Sequence, residues 1–522
     1  MENEKVARLG KPVRKGLLGF VFSRFFLIVL LLIAEILLLA ILHRWFLDKL
    51  PVLLYLQYVF TFVMVIYLLN NSMDSSAKLT WLLVISIVPV PGTILLLLTQ
   101  KNIGHRMETR MVRDQIRLSA GMIPQPAGVT EEAGKDLSGT DDLCLYLNRS
   151  GTFPLYDRTR VTYFPLGEDK FEAMLRELEK AEKFIFLEYF IVEEGYMWGR
   201  VLDILMRKAK EGVEVRMMYD GMCEISTLPP GYWKLLEKEG IHAKAFSVLK
   251  PVVSSHYNYR DHRKILVIDG RTAFTGGVNL ADEYINRKER FGHWKDTAIM
   301  LEGPAIKSFT LMFLQMWNVG QKEPDYASWL KYEGEPVPEA GGYVMPFCDC
   351  PLDEYKAGEA VYMDILNRAT DYVHIMTPYL ILDGELEASL KFAAQRGVDV
   401  KLILPGIPDK KLAYALAKRH YRSLYDAGVK IYEYTPGFVH AKVFTCDGTK
   451  AVVGTINLDY RSLYHHFECA AYLYKTDCIK DIEADFSETL SKCREVTDDS
   501  IRHEKLSMKL AGCLAKAFAP LM

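Results

Sequence analysis

Apolar and polar positions divide this chain into two regimes. Near the N-terminus the apolar residues come in three long runs, 25–42, 52–69 and 79–98. Each approaches the ~20 residues that a helix needs to cross a bilayer. They predict two or three transmembrane segments, at about 25–46, 51–69 and 79–98, in an anchoring region 1–120. Glu35 interrupts the first run; it is expected to pack against another helix or to stay protonated. Pro89-Val90-Pro91-Gly92 interrupts the third, which is expected to kink or re-enter rather than to span. From residue 151 the runs shorten and alternate with helical periodicity: helix 171–183, strand 184–192, helix 200–211 ended by Gly212, strand 213–219. The same order returns as helix 360–369, strand 372–380, helix 385–396 ended by Gly397, and strand 398–404. Strand–helix–strand order marks a parallel or mixed α/β sheet. The prediction is two α/β lobes, 151–332 and 346–495, made by internal duplication and joined by a Gly-, Pro- and Glu-rich linker at 333–345. Residues 121–150 read as a linker or irregular lead-in. The tail 496–522 reads as an amphipathic helix whose row Leu506, Leu510, Leu514, Phe518 is flanked by Lys505, Lys509 and Lys516. Packing on a lobe is the expectation for that row, and contact with a membrane surface is the alternative.

One polar pattern is laid over both lobes. His262-Arg-Lys264-Ile-Leu-Val-Ile-Asp269-Gly270 and His440-Ala-Lys442-Val-Phe-Thr-Cys-Asp447-Gly448 share the form His-x-Lys-x-x-x-x-Asp-Gly. Each is followed by a glycine turn and an asparagine, Asn279 or Asn457. The apolar stretch between lysine and aspartate predicts a buried strand, and Asp-Gly the turn after it. Residues two apart share a face, so each His points the same way as its Lys. The aspartates stand five residues beyond the lysines and face the other way. They are read as structural even though they complete the pattern. Two imidazoles, two ammoniums and two amides around one pocket suit a phosphodiester. One imidazole can attack phosphorus while the other protonates the leaving alcohol. Neither lobe alone holds both, which places the pocket between them. The lysines can neutralise the phosphate charge, so no metal and no cofactor is expected.

Paired motifs of this kind resemble the phospholipase D superfamily. Leu187-Glu188-Tyr189-Phe190-Ile191, Thr377-Pro378-Tyr379 and Asn457-Leu-Asp-Tyr-Arg-Ser-Leu463 ending in Phe467-Glu468 are similar to bacterial cardiolipin synthases over most of the chain. The resemblance implies two α/β lobes meeting at one active site. It implies His262, Lys264, Asp269, His440, Lys442 and Asp447 as the catalytic motifs, and Asn279 and Asn457 as substrate-binding. It also implies a His-orienting acid on the strand after each asparagine, Glu468 in the second lobe and Asp296 in the first. Glu188 and Tyr189 are expected to end a strand beside the motif, where they could touch the acceptor alcohol or simply pack. The loop 281–292, with Tyr284, Arg287, Lys288, Arg290 and Phe291, is either a cover for a lipid headgroup or a solvated basic loop. The implied reaction is phosphatidyl transfer between two phosphatidylglycerols through a phosphohistidine on His262, giving cardiolipin and glycerol. A hydrolytic phospholipase D, a nuclease of the superfamily and a non-catalytic membrane scaffold are the alternatives.

Composition sharpens this in three places. Half of the residues are hydrophobic, high for an all-soluble chain, and the formal net charge is −2. That balance gives no sign of the basic surface a nuclease needs, and no nucleic-acid partner is expected; the partners are phosphatidylglycerol and membrane lipids. The nine cysteines are scattered, which fits reduced thiols; Cys348-Asp-Cys350 lacks a second pair at zinc spacing and is read as structural. His465-His466 would face opposite ways on a strand and is not read as a metal pair. Basic residues precede the first run and follow the third, which favours both ends on the cytoplasmic side of a cell-membrane, multi-pass protein.

Overall fold

The computed structural model describes residues 33–38, 40–41, 50–71, 73–100, 106–136, 138–151, 153–246 and 259–519. The basic N-terminus at 1–15, most of the first apolar run and the basic residues Lys101 and His105 lie outside them. The described residues form two compact units. One is built from residues up to 106 together with 513–519; the other takes 107–246 and 259–512.

In the first unit, α1 (Leu50–Leu69) is a 20-residue helix without a charged side chain. Its side chains at 50, 51 and 53 lie outside the described residues. The third apolar run is cut at Val88 into α2 (Ser75–Ile87), capped by Asp74, and α3 (Pro89–Gln100). The cut is sharp. A Cβ on Gly92 would meet Val84 Cγ1 at 3.1 Å, whereas a straight helix separates residues eight apart by about 12 Å. The Pro-Val-Pro-Gly break therefore folds α3 back on α2, around Trp81, Val84, Ile85, Leu95 and Leu96. Among the described residues no helix is long and apolar enough to cross a membrane, so the spans expected from the apolar runs are not seen as such. Glu35 is buried.

The second unit holds two sheets of the same strand order. The first lobe supplies β1 (Arg160–Phe164), β2 (Phe184–Tyr189), β3 (Glu214–Asp220), β4 (His242–Phe246), β5 (Arg260–Asp261), β6 (Lys264–Ile268), β7 (Thr272–Gly276), β8 (His293–Lys295) and β9 (Ala298–Glu302). The second lobe supplies β10 (Tyr343–Asp349), β11 (Tyr372–Met376), β12 (Asp399–Pro405), β13 (Lys430–Tyr434), β14 (Gly437–Val439), β15 (Val443–Cys446), β16 (Lys450–Gly454), β17 (His466–Tyr474) and β18 (Cys493–Glu495), with β5 and β14 pairing outside their own lobe's sheet. In space they are ordered β1-β9-β7-β6-β2-β3-β4 and β10-β17-β16-β15-β11-β12-β13-β18. Apart from the added edge strand β18, the duplicated sequence gives a duplicated topology. In each sheet the two crossovers through helices make parallel pairs, β2–β3–β4 and β11–β12–β13, and the motif strands β6 and β15 pair antiparallel with β2 and β11. The helices α4 (Gly167–Glu179) and α5 (Tyr196–Lys210) cover the outer face of the first sheet, burying Met174, Leu178, Val201 and Leu205. One core spans both lobes, with α6 (Ile306–Trp317) buried along almost its whole length.

Two differences from the sequence reading concern the edges of this unit. Residues 121–150 are not irregular. They form helices Val129–Ala133 and Thr140–Gly151, bury Leu143, Cys144 and Leu147 in the shared core, and reach Tyr472 through Thr140. Their many Gly, Pro and acidic residues mark caps and turns rather than a linker. The C-terminal helix Leu506–Phe518 forms as expected, but Leu506, Leu510 and Leu514 are 71%, 58% and 68% exposed. That row does not pack on a lobe.

Candidate active site

Each motif begins on a short strand that leaves its own sheet and pairs with the opposite lobe. Arg260 and Asp261 of β5 lie parallel to His466 and Phe467 of β17, and the His262 amide donates to the Phe467 carbonyl at 2.9 Å. In the second lobe β14 lies parallel to β8, and the His440 amide donates to the Lys295 carbonyl at 2.7 Å. This exchange fixes which acid meets which imidazole. Glu468 stands two residues beyond His466 on the same face, and both its oxygens come within 2.9 Å of His262 Nδ1. Asp296 follows Lys295, and its Oδ2 lies 2.6 Å from His440 Nδ1. Every imidazole is thus held by a carboxylate from the other lobe.

Backbone close to each acid is shaped to receive it. A Cβ on Gly277 would fall 2.0 Å from Asp296 Oδ1, so only glycine admits that carboxylate. The equivalent position in the second lobe is Thr455, whose hydroxyl donates to Glu468. Lys264 Nζ donates to the His262 carbonyl at 2.5 Å, and Lys442 Nζ to the His440 carbonyl. Both lysines are buried and lie beside the rings they follow in sequence.

The electrostatics follow from burial. His262 is pushed well below its ordinary value by desolvation, which outweighs the opposing pull of Glu468. His440 is pushed down to about 4 by burial and by Lys442, against the pull of Asp296. Burial lowers Lys264 to about 8 and Lys442 to about 7. The Lys264 charge is felt at both His440 and Lys442, so the two motifs share one field. Burial works to raise Glu468, but the charge and hydrogen bond of His262 hold it below the usual carboxylate range. The result is a neutral imidazole whose Nδ1–H donates to an ionised carboxylate, leaving the Nε2 lone pair free for an electrophile. Lysines beside it, which an anion in the pocket would favour in their charged form, suit an anionic tetrahedral centre.

The remaining expected residues divide. Asp269 and Asp447 are not at the site. Asp269 accepts from the amides of Glu182, Lys183 and Phe184 at 2.8–2.9 Å. Asp447 does the same for Thr370, Asp371 and Tyr372. Each pins the start of the neighbouring strand, and each Asp-Gly pair has positive φ at both residues, as a type I′ hairpin demands. A catalytic role for these aspartates is not what their geometry offers. Asn279 is buried with its Oδ1 accepting from the Ile191 amide at 3.0 Å and its Nδ2 donating to Tyr284 at 2.8 Å. Asn457 is also buried, but its Oδ1 has no partner among the described residues. The two asparagines are therefore not equivalent.

Glu188 faces away from the pocket, buried and paired with Arg263 at 2.5 Å. Tyr189 packs inward, its hydroxyl 3.1 Å from Lys170 Nζ. Neither is placed to meet an acceptor. In the loop 281–292, Lys288 pairs with Glu193 and Arg290 with Glu283, each at 2.5 Å. Tyr284 instead reaches inward, its ring edge-on to His440 at 5.4 Å.

Sequence reading missed the aromatic wall around the rings. Phe190 stands edge-on to His262 at 4.8 Å, and Trp294 and Phe438 lie 5.4 and 5.9 Å from His440. It set His466 aside as a metal ligand and missed its place, 5.3 Å from the His262 ring, with Nδ1 3.5 Å from Glu468. The alternation along β17 that puts His466 on the face of Glu468 was available; the pairing with His262 was not. His262, His466 and Glu468 offer ligand atoms within 4.8 Å of one another, as do Glu359, Asp383 and Glu385. In the first group the carboxylate is already engaged by His262 and Thr455. Asp349, between the two cysteines, caps a helix through the Ala357 and Gly358 amides, and both cysteines are free thiols.

Known proteins resemble this chain over both lobes. Residues 174–317 and 362–490 match the family model of the cardiolipin synthase, PLD-like domain. An uncharacterized protein of Streptococcus mutans serotype c is 58% identical, the alignment covering 88% of this chain and 99% of that one. Cardiolipin synthase 2 of Bacillus cereus is 33% identical, over 88% and 89% of the two chains. The crystal structure of phosphatidylserine synthase from Haemophilus influenzae Rd KW20 superposes with a TM-score of 0.53 at 14% identity, covering 73% of this chain and 97% of that one, and shares the fold. With paired motifs, crossed acids and a family match over both lobes, the chain belongs to the bacterial cardiolipin synthases of the phospholipase D superfamily.

Proposed function

We propose that the protein is a membrane-bound phosphatidyltransferase that joins two phosphatidylglycerols into cardiolipin and releases glycerol. The observation that carries this is the crossed pair of histidine–carboxylate contacts, with two lysines beside them. In the first step His262 Nε2 attacks phosphorus and the bond from phosphorus to the headgroup glycerol oxygen breaks. His440 Nε2–H gives its proton to that oxygen, and glycerol leaves. Glu468 holds the His262 Nδ1 proton and stabilises the charge that develops on the ring. In the second step a hydroxyl of another phosphatidylglycerol gives its proton to His440 and attacks the phosphohistidine, freeing His262. One phosphodiester replaces another, so the balance needs neither a nucleotide nor water. Assignment of His262 as nucleophile follows the resemblance, because the two motifs are nearly symmetric; trapping the adduct on His440 instead would reverse the roles.

The same reading makes 1–120 a multi-pass membrane anchor, with the lobes on the cytoplasmic side. Its support is the uncharged α1, whose Val52, Tyr55, Tyr58, Phe62 and Val63 are exposed, and the exposed Leu79, Leu83, Ile87, Val90 and Ile94 of the folded-back α2 and α3. Such surface is stable against lipid rather than water. The decisive experiment is purified protein with phosphatidylglycerol vesicles and EDTA, products identified by mass spectrometry. Cardiolipin with matching glycerol supports the proposal. Phosphatidic acid as the main product would make the enzyme a hydrolase.

A further inference from the structure

The C-terminal helix Leu506–Phe518 has three distinct sides, and only one of them is packed against protein. At about 100° per residue, the small residues Gly512, Ala515 and Ala519 share the packed side. A Cβ on Gly512 would fall 2.4 Å from the Ala415 carbonyl, and Ala515 and Ala519 are buried. Near its end the helix is held by Thr80 Oγ1, which donates to the Ala517 carbonyl at 2.9 Å, and by Phe518 packing on the cluster around Trp81. Leu506, Leu510 and Leu514 form a second side and stand 71%, 58% and 68% exposed. Lys509 and Lys516, with Lys505 just before the helix, form a third, between the packed side and the leucine row.

A terminal helix that serves a protein core turns its large apolar side chains inward. Here glycine and alanine face inward and the leucines face out. We propose that this helix lies in the surface of an anionic lipid bilayer, with the leucine row in the acyl boundary and the lysine edge against phosphate headgroups. An apolar row bordered by lysines is the pattern of an interfacial helix. Juxtamembrane lysines are drawn to a negatively charged leaflet. The residues that hold its end, Thr80 and Trp81, belong to α2, whose Leu79, Leu83 and Ile87 are themselves exposed. Lysines bordering the leucine row make an anionic lipid surface, rather than another protein, the occupant of that face. The inference rests on the proposed membrane anchor and adds a second point of attachment.

Cys513 gives direct access to the test. It is exposed beside the leucine row, whereas the other cysteines are buried or half-buried. Full-length protein carrying an environment-sensitive fluorophore on Cys513 would be added to phosphatidylglycerol or phosphatidylcholine vesicles, with flotation followed in parallel. Blue-shifted emission, quenched by lipids spin-labelled near the interface and stronger in phosphatidylglycerol, is the expected result. A triple variant, Leu506→Ser with Leu510→Ser and Leu514→Ser, should still float but return the probe to aqueous emission. Protein that floats while the wild-type probe stays aqueous overturns this inference alone. Protein that does not float overturns the anchor as well. Cross-linking of Cys513 between copies, with no lipid quenching, would assign the leucine face to a second copy instead.

Discussion

Glu468 brings both carboxylate oxygens to 2.9 Å from His262 Nδ1, although the two residues belong to different lobes. His440 and Asp296 make the reciprocal contact at 2.6 Å. Neither imidazole is oriented until both lobes are folded and docked. The first prediction follows. Glu468→Gln and Asp296→Asn should each lower turnover by about a hundred- to ten-thousand-fold, with little change in KM and unchanged circular dichroism. Steady-state kinetics on phosphatidylglycerol vesicles measure this; variants as fast as the parent would show that the crossed acids do no chemistry.

Both rings should be indispensable and chelation harmless. His262→Ala and His440→Ala are each expected to abolish transfer, because the attacking and donating roles fall on separate residues. EDTA should leave the parent enzyme at full rate, since the charge on phosphorus is met by Lys264 and Lys442. Activity lost to EDTA and restored by a divalent ion would overturn that mechanism, and the His262–His466–Glu468 group would then be the first place to look for the ion.

What could be seen in advance is local. The repeated His-x-Lys-x-x-x-x-Asp-Gly unit, the I′ turns and the order of strands and helices are properties of short segments, and alternation alone put His262 with Lys264 and Asp269 away from both. The partner of a side chain is a property of two distant segments. Glu468 and Asp296 could be named as His-orienting acids through resemblance, but not matched to the histidine of the opposite lobe. That match depends on β5 pairing with β17 and β14 with β8, strands of two or three residues that leave no periodic trace. Glu188 misled for the same reason. A strand carries it beside the motif, but on the face where Arg263 waits. Residues 121–150 misled because a helix built on caps and turns has the composition of a linker.

The motif aspartates should prove structural. Each accepts three backbone amide hydrogens that would otherwise start a strand unpaired. Removing a carboxylate from such a site costs about 2–4 kcal/mol in all. Both residues also hold positive φ, 54° at Asp269 and 51° at Asp447, which alanine tolerates poorly and asparagine better. Asp269→Ala and Asp447→Ala should therefore lower the denaturation midpoint clearly, Asp269→Asn and Asp447→Asn less. Folded protein of either kind should keep most of its turnover. A folded, stable but inactive Asp269→Asn would place that carboxylate in the chemistry after all.

Proton balance offers a test of the acid. In the free enzyme burial and Lys442 push His440 down to about 4, so it is neutral at pH 7 and cannot yet donate from Nε2. An anionic phosphodiester in the pocket favours the charged imidazolium and raises that value. Between the two values, binding must add close to one proton at His440, over and above the part that Lys442, at about 7, takes up. The free state holds none there and the bound state holds one. Calorimetry of His262→Ala protein with short-chain phosphatidylglycerol, in buffers of differing ionisation enthalpy, should show this uptake at neutral pH. The double variant that adds His440→Ala should lose it. Binding without proton uptake would mean that His440 is charged before substrate arrives, or that another group is the acid.

The last prediction concerns the side of the membrane on which the lobes work. Basic residues flank the apolar region at both ends, from Lys5 to Lys15 before it and from Lys101 to Arg117 after it. Loops rich in Lys and Arg stay on the cytoplasmic side, so both ends are expected there, which needs an even number of crossings. Three full spans would separate them. The third run is the one whose geometry relieves this, because Gly92 returns to Val84 and α3 doubles back beside α2 instead of continuing away from it. A folded-back pair of 13 and 12 residues is too short on either arm to span, at 1.5 Å per residue against about 30 Å of hydrocarbon. Arms of that length are expected to enter and leave by one face. On the proposed reading, in which the first two runs cross and the third re-enters, the lobes are expected on the same side as the N-terminus. A cysteine introduced at the exposed Glu335 should therefore resist a membrane-impermeant maleimide in intact cells and react once the cells are opened. Labelling in intact cells would put the lobes outside, and would require the third run to cross despite its break.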